Sequence, residues 1–250
     1  MDGNFKVTCK TDVGGRKNNE DYCGWKIVDN HLVGAVADGM GGMEKGEVAS
    51  KTAIKSLLNF ISENLAKYSD YNQLLEDAFQ HANRKVREAL EGAKGGTTLV
   101  AFIYTPEGKL YLANVGDSRA YLIEDGEVKL LTRDHSLAWA HLEEEGLPRE
   151  EIARKVREVH YRNLLTRALG TDSEVTVDTL PKTVGTEFLK PSKGSLLLLL
   201  TDGVWELLDE KLLKELSSNF QTVEELVERL VGEALKREAT DNLTALVVQV

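Results

Sequence analysis

Short apolar segments and longer amphipathic segments alternate along the chain, and their order is the first guide to its fold. Segments with the period of a β-strand are predicted at 5–12, 22–27, 31–37, 97–104, 109–115, 119–123, 127–131, 195–201 and 244–250. Segments with helical period are predicted in pairs, at 47–65 with 70–91 and at 208–217 with 222–238. A further, highly charged helical stretch is predicted at about 136–165.

The grouping of these segments favours antiparallel sheets. Successive strands are separated by turn signals such as Asp29-Asn30, as in hairpins. The helices come in pairs between groups of strands, whereas a parallel sheet would need single helices between successive strands. We therefore expect an α+β protein with two packed antiparallel sheets flanked by pairs of helices. Asp70 and Thr222 each precede a Gln or Glu by three residues, and we expect them to cap helices.

Length and charge narrow the functional class. The 250 residues contain no composition break or low-complexity linker, so we expect a single domain over 1–250. The net charge of −10 argues against a nucleic-acid partner, which would require a basic surface. The start of the chain lacks a signal-peptide pattern, and the longest strongly apolar run, Leu196–Leu200, is too short to span a bilayer. We therefore expect a cytoplasmic protein with no membrane partner.

The chain has two cysteines, Cys9 and Cys23. Their spacing matches neither a CxxC motif nor a disulfide framework. We expect both to be reduced and to act as small core residues.

Acidic residues stand at the ends of several predicted strands. If strands 22–27 and 31–37 form a tight hairpin about Asp29-Asn30, the register places Asp21 opposite Asp38 at one sheet edge, with Glu20 beside them. Asp202 directly follows another apolar strand, and Asp241 directly precedes the last one. If those two strands are antiparallel neighbours, these two acids also share an edge.

A third strand pair extends the pattern, because folding 97–104 onto 109–115 brings Thr97 near Asp117. Clustered carboxylates repel each other unless their pKa values rise or a cation neutralises them. Oxygen ligands without a Cys/His set select hard divalent ions such as Mg²⁺ or Mn²⁺. Gly39 would let a backbone carbonyl approach such an ion.

Eight motifs occur in an order that resembles the metal-dependent serine/threonine protein phosphatases of the PP2C (PPM) family. They are "RKNNED" (16–21), "ADGMGG" (37–42), "GGTTL" (95–99), "ANVGDSRAYL" (113–122), "LTRDHSL" (131–137), "LLTRALG" (164–170), "LLTDGVWE" (199–206) and "TDNLTALVV" (240–248). The compact length resembles bacterial members that consist of the catalytic domain alone. The resemblance implies a four-layer αββα sandwich, with a flap at about 138–162 beside the active site.

The resemblance also implies roles for the acids. Asp38 would bridge two metals, with the Gly39 carbonyl on one of them, and Asp202 and Asp241 would bind the other. Glu20 and Asp21 would hold metal-bound waters or the metals themselves. Arg16 would clamp the phosphate, and Asp117 would bind a third ion. Two or three Mn²⁺ or Mg²⁺ ions are thus implied, with a hydroxide between two of them attacking phosphorus in line.

Met40 departs from those relatives that carry a histidine at this position as proton donor. Methionine has no titratable proton, so we expect a metal-bound water to donate it instead. The chain's five histidines are expected to be structural or exposed. Asp134 and His135 in particular are expected to order their loop.

The resemblance implies that the partners are proteins phosphorylated by a serine/threonine kinase. The chain is expected to be a monomer. Three alternatives remain open from sequence: an inert pseudophosphatase, a hydrolase of small phosphate esters, and a regulator that dephosphorylates an anti-sigma-factor antagonist. The complete set of acids together with Arg16 argues against the first.

Overall fold

A computed structural model describes residues 5–41, 44–180 and 188–250. Within these ranges the strands are β1 Lys6–Asp12, β2 Asp21–Val28, β3 His31–Met40, β4 Gly96–Thr97, β5 Leu99–Tyr104, β6 Leu110–Val115, β7 Arg119–Glu124, β8 Glu127–Leu130, β9 Asp178–Leu180, β10 Leu196–Leu200 and β11 Leu243–Gln249. The α-helices are α1 Glu44–Asn64, α2 Tyr71–Leu90, α3 Leu137–Glu144, α4 Arg149–Lys155, α5 Asp202–Trp205, α6 Glu210–Leu216 and α7 Val223–Lys236.

The strands form two antiparallel sheets. The first has the order β1-β11-β10-β7-β8, and the second has the order β2-β3-β5-β6-β9 with β4 paired to β3. The chain passes from the second sheet to the first between β6 and β7, so residues 116–118 lie at the end of the sandwich. This crossing brings the ends of both sheets together.

Three apolar clusters produce the four layers. Helices α1 and α2 cover one face of the second sheet through a cluster that includes Ala53, Phe79 and Ala101. Helix α7 covers the outer face of the first sheet. The third cluster lies between the sheets and includes Phe102 and Leu246. The predicted αββα arrangement is therefore confirmed.

Strand β10 shows how both faces of a sheet become buried. Leu196, Leu198 and Leu200 pack on the outer helices, whereas Leu197 and Leu199 point into the space between the sheets. Successive side chains of a strand point to opposite faces. A run of five leucines therefore satisfies two cores at once, which explains why this strand shows no polar alternation.

The predicted caps are present at both helices. The Asp70 carboxylate accepts hydrogen bonds from the backbone N–H groups of Asn72 and Gln73 at the start of α2. The Thr222 hydroxyl accepts one from Glu225 N–H at the start of α7. Each side chain satisfies backbone donors that have no partner inside the helix.

The prediction of one helical stretch over 136–165 is wrong. The structure has two short helices, α3 and α4, followed by a 3₁₀ turn at Val156–Glu158. Gly146 adopts a positive φ of 78° and Pro148 caps α4, so the helix is interrupted between them. The short elements β9 and α5 were also not predicted, because three or four residues carry no readable period.

The prediction for the cysteines is wrong as well. Cys9 of β1 and Cys23 of β2 form a disulfide, with their Cα atoms 6.5 Å apart. Strands β1 and β2 are edge strands of different sheets, and they lie on the same side of the sandwich. The bond therefore joins the two sheets, a tertiary relation that cysteine spacing does not reveal.

No helix within the described ranges is long and apolar enough to cross a membrane.

Candidate active site

All of the sequence-predicted site residues except the buried Asp21 line one cavity at the end of the sandwich. Its volume is about 430 Å³, and it is lined by Arg16, Lys17, Asn18, Glu20, Asp38, Gly39, Met40, Gly41, Thr98, Asp117, Asn163, Leu165, Asp202, Asp241 and Asn242. Its walls come from both sheets, from the β6–β7 connection and from the segment after α4. No single element could build this site, since the lining residues come from several separate segments of the chain.

The predicted register between β2 and β3 is present, with Asp21 directly opposite Asp38. Asp21 is buried, and its Oδ2 accepts a hydrogen bond of 2.8 Å from the Thr201 hydroxyl. Its Oδ1 has no hydrogen-bond partner among the described residues. The backbone N–H of Asp38 donates to Thr98 Oγ1 at 2.9 Å, which holds the end of β3 in place.

The second predicted pair lies on the other sheet. Strands β10 and β11 are antiparallel neighbours, so Asp202 after the one and Asp241 before the other reach the same edge. Asp202 is buried and its Oδ1 has no hydrogen-bond partner within the described part of the chain.

Burial and mutual repulsion raise the pKa of four carboxyl groups. For Asp21 and Asp202 the pKa rises to about 7, first because burial penalises the charged form and then because neighbouring aspartates repel it. The same causes raise the pKa values of Asp38 and Asp117 well above their ordinary range. Several carboxyl groups thus lie close together in a buried position, whereas the cationic lining residues Arg16 and Lys17 are exposed.

The donor set fits a hard divalent cation. In the described ranges no three carboxylate, imidazole or thiolate side chains form a metal cluster by themselves. Backbone carbonyl oxygens can add to a carboxylate ligand set, and the Gly39 backbone lines the cavity. A Cβ atom on Gly39 would lie 2.1 Å from the Gly46 carbonyl oxygen, so no side chain fits beside this cavity-lining backbone. Unpartnered carboxylate oxygens and this carbonyl are ligands that Mg²⁺ and Mn²⁺ prefer.

Asp117 lies on the connection that crosses between the sheets. The preceding Gly116 adopts a φ of 101°, and a Cβ atom there would lie 2.6 Å from the Thr98 side chain. The following Ser118 shares a hydrogen bond of 2.7 Å with Thr98 Oγ1. The carbonyl oxygen of Asp117 accepts a hydrogen bond of 2.9 Å from Trp205 Nε1. Asp117 is thus anchored through its backbone while its carboxyl group lines the cavity.

Arg16 and Glu20 stand at the rim. Arg16 Nη2 donates to Asp241 Oδ2 at 2.7 Å, and its side chain is 58% exposed. An exposed guanidinium beside buried carboxylates presents a planar set of donors to any phosphate that enters. Burial raises the pKa of Glu20, while the Arg16 charge acts in the opposite direction.

Asn242 is a site residue that the sequence analysis did not single out. Its Nδ2 donates to the carbonyl oxygens of Val13 and Asn18, both at 2.9 Å, and its Oδ1 accepts from Glu20 N–H at 2.8 Å. One amide thus holds the loop that carries Arg16 and Glu20 against β11. Its position directly after Asp241 in the "TDN" motif was the available signal. Asn163 and Leu165, which follow α4, were also missed.

Met40 lines the cavity, but no histidine is among the described residues that do so. His135 is buried behind Asp117, where its ring contacts the Gly116 backbone and Asp178. This position supports the prediction that His135 orders its loop. It also leaves the cavity without an imidazole proton donor.

Comparison with known proteins places these observations in a family. The sequence model described as Protein phosphatase 2C matches residues 17–243. The serine/threonine phosphatase Stp of Listeria monocytogenes is 33% identical over 249 residues, which covers 96% of this chain and 94% of Stp. A putative protein phosphatase of Mycoplasma genitalium is 30% identical and covers 93% of this chain and 90% of its own length.

Solved structures of phosphatases are also similar to this chain over nearly its whole length. The PPM Ser-Thr phosphatase MsPP from Mycobacterium smegmatis, in complex with cacodylate, aligns with a TM-score of 0.81 at 33% identity, covering 98% of this chain and 97% of MsPP. The catalytic domain of the phosphatase PstP in complex with two manganese ions aligns with a TM-score of 0.78 at 28% identity, covering 98% of this chain and 97% of that domain.

Proposed function

Because the chain belongs to the protein phosphatase 2C family and is a serine/threonine phosphatase, we propose that it uses divalent cations held in the cavity to hydrolyse phosphoserine and phosphothreonine in proteins. Residues 1–250 act as a single catalytic domain in this proposal. The observation that carries it is the group of aspartates that line one cavity, Asp38, Asp117, Asp202 and Asp241, of which only Asp241 has an ion-pair partner among the described residues.

Two Mn²⁺ or Mg²⁺ ions are assigned to this set. Asp38 and the Gly39 carbonyl would hold one, Asp38 with Asp202 and Asp241 would hold the other, and Asp117 would bind a third. Glu20 and Asp21 would bind the ions directly or through water. The manganese ions in the PstP catalytic domain support this assignment. Bound ions supply the Lewis acidity that makes water nucleophilic near neutral pH.

Arg16 binds and orients the phosphate. Its pairing with Asp241 positions the guanidinium at the cavity rim, where its donors match two phosphate oxygens. Since the site offers no serine or cysteine nucleophile among its described lining residues, direct in-line attack by water is the reaction that these groups support.

The leaving alkoxide takes its proton from water held at the site. Met40 has no proton to give, and both ring nitrogens of His135 are engaged away from the cavity. A pH–rate profile should therefore show no limb that disappears in a variant lacking a histidine. Loss of such a limb in any histidine variant would refute this assignment.

Phosphoproteins produced by a serine/threonine kinase are the proposed substrates, and the chain is proposed to act as a monomer. Light scattering during gel filtration measures the second point directly.

The decisive experiment compares wild type with Asp202→Ala in hydrolysis of para-nitrophenyl phosphate and a phosphothreonine peptide. Each protein is assayed in EDTA and after Mn²⁺ or Mg²⁺ is restored. We expect wild-type turnover to return with the metal and the variant to stay at its EDTA level. Asp172→Ala, which removes an exposed aspartate outside the cavity, is the matched control and should behave as wild type.

Preference for the peptide would support protein substrates, whereas equal use of both compounds would favour a small-ester hydrolase. A folded wild-type protein without turnover in either metal would support the hypothesis of an inert pseudophosphatase instead.

A further inference from the structure

His135 is fully buried and contacts Gly116 at both of that residue's backbone hydrogen-bonding groups. The Gly116 N–H donates to His135 Nδ1 at 3.1 Å, and the His135 N–H donates to the Gly116 carbonyl oxygen at 3.0 Å. On the opposite side of the glycine lies Thr98, close enough to exclude any Cβ atom. Gly116 is therefore held between a histidine ring and a threonine.

These contacts determine the tautomer of the ring. A backbone N–H can only donate, so Nδ1 must be unprotonated and the proton of a neutral ring is on Nε2. Nε2 lies 3.1 Å from Asp178 Oδ2, which accepts this proton in a hydrogen bond. Arg167 Nη1 also lies 3.3 Å from Nε2, but a guanidinium can only donate, so this contact is not a hydrogen bond when Nε2 carries the proton. Arg167 Nη1 in turn donates to Asp178 Oδ1 at 2.7 Å. A chain of contacts thus runs from Arg167 through Asp178 and His135 to the Gly116 amide.

We propose that His135 is a positioning residue: oriented by Asp178, its ring holds the Gly116 amide and thereby directs the Asp117 carboxylate into the cavity for cation binding. The inference rests on the proposed role of Asp117 as a cation ligand. The carboxylate–histidine pair resembles the arrangements that orient metal ligands from outside the first coordination layer. Here the ring acts through a backbone amide next to the ligand.

The other contacts of this connection do not duplicate the ring. Trp205 holds the Asp117 carbonyl and Thr98 holds the Ser118 hydroxyl. Asn114 Nδ2 donates to the Gly116 carbonyl oxygen at 3.3 Å, so all three contacts lie after the Gly116 N–H in the chain. Because Gly116 has a φ of 101°, it has access to conformations that other residues avoid. Without the ring acceptor, the peptide between Val115 and Gly116 loses the side-chain contact that sets its direction.

Two substitutions separate the role of Nδ1 from that of Nε2. Asparagine carries its amide at the bond distance of Nδ1 from the backbone, and glutamine carries its amide at that of Nε2. His135→Asn therefore keeps an acceptor for Gly116 and loses Asp178, whereas His135→Gln keeps a partner for Asp178 and loses Gly116. If His135 only filled space, the two variants should bind Mn²⁺ equally. If it only paired with Asp178, His135→Gln should be the less affected variant.

The measurement is Mn²⁺ binding by isothermal titration and by electron paramagnetic resonance of free Mn²⁺. Asp117→Asn defines which ion depends on Asp117. We expect His135→Gln to lower the affinity for that same ion by about 10- to 100-fold. The affinity of His135→Asn for it should stay within about threefold of wild type. The His135→Gln/Asp117→Asn double variant should bind no more weakly than Asp117→Asn alone. His81→Leu, a histidine substitution on α2 away from the cavity, is the control.

Three results overturn the inference. His135→Gln could bind Mn²⁺ as wild type does while Asp117→Asn does not, or His135→Asn and His135→Gln could lose binding equally. If Asp117→Asn itself leaves every Mn²⁺ affinity unchanged, the proposed third ion is wrong and the inference falls with it.

Nitrogen-15 NMR of the wild-type histidines provides a test that needs no variant to fold. The proton must be on Nε2 of His135, and a ring protonated on Nδ1 would refute the proposed contact.

Discussion

The cavity carboxylates and the Arg119–Asp134 ion pair are both buried, but only the ion pair contains its own counter-charge. Arg119 donates from Nε and Nη2 to the two Asp134 oxygens at 2.9 and 2.8 Å. Its guanidinium carbon also lies 3.6 Å from the centroid of the Trp205 ring, and Nη1 donates to the Tyr121 hydroxyl at 2.9 Å. The cavity group has four aspartates with raised pKa values, and the cations among its described lining residues, Arg16 and Lys17, are exposed.

This difference in charge balance indicates that the ion pair has a structural role and the cavity carboxylates a functional one. A buried ion pair with every donor satisfied needs nothing further, and it secures β7 against the segment after β8. A buried group of one sign needs a cation or protons. Trp205 links the two regions, because it stacks on Arg119 and donates to the Asp117 carbonyl. The balanced pair thus supports the wall on which the unbalanced group is built.

The largest expected effect comes from unbalancing the ion pair. Asp134→Asn leaves the fully buried Arg119 without its counter-charge and should lower the free energy of unfolding by about 3–5 kcal/mol. Urea denaturation measures this. The Arg119→Met/Asp134→Leu double variant removes both charges and should recover most of the loss. Equal destabilisation by the single and double variants would show that packing, not charge, is responsible.

The Cys9–Cys23 disulfide joins the two sheets without any charge, so its removal should give the next largest loss of stability. Removing the disulfide with Cys9→Ser/Cys23→Ser should cost about 3 kcal/mol, as expected for a closed loop of about 15 residues. The loss should be the same at pH 5.5 and pH 8 and should leave the Mn²⁺-induced shift in melting temperature unchanged. Dependence of the loss on metal would indicate that the bond also shapes the cavity.

Removing one carboxylate from the cavity should raise the free energy of unfolding, whereas the two preceding changes lower it. Without metal at pH 8, Asp202→Asn should stabilise the protein by about 2 kcal/mol, since one unit of pKa elevation corresponds to about 1.4 kcal/mol and neighbouring carboxyls share the effect. The variant should also lose phosphatase activity. Denaturation in EDTA measures the stability, and the exposed Asp172→Asn should change neither property. Destabilisation by Asp202→Asn would contradict the unbalanced-charge interpretation.

The same buried carboxyl groups should also make stability depend on pH. The pKa values of Asp21 and Asp202 are raised to about 7 in the folded state. The folded protein therefore binds more protons than the unfolded chain between about pH 4 and 7, so stability from these groups falls as pH rises through this window. Melting temperature in EDTA should decline accordingly, and saturating Mn²⁺ should reduce the decline. A flat profile in EDTA would mean that the carboxylates ionise without penalty.

The sequence by itself determined the longer strands, the paired helices and the pairing within hairpins. Asp21 lies opposite Asp38 because the two-residue turn at Asp29-Asn30, with both residues at positive φ, fixes the register of β2 against β3. Capping at Asp70 and Thr222 was readable for the same reason, since each cap involves residues within one helical turn. Motif order was sufficient to indicate the family.

Tertiary structure alone decided which distant groups meet. Cys9 and Cys23 pair because two edge strands of different sheets come together, and Asn242 binds the loop at 13–20 from the far end of the chain. His135 reaches Gly116 because the segment after β8 packs behind the β6–β7 connection. Such contacts depend on how the two sheets stack, and stacking is set by the sum of many apolar contacts spread over the whole chain. Local periodicity carries no record of that sum.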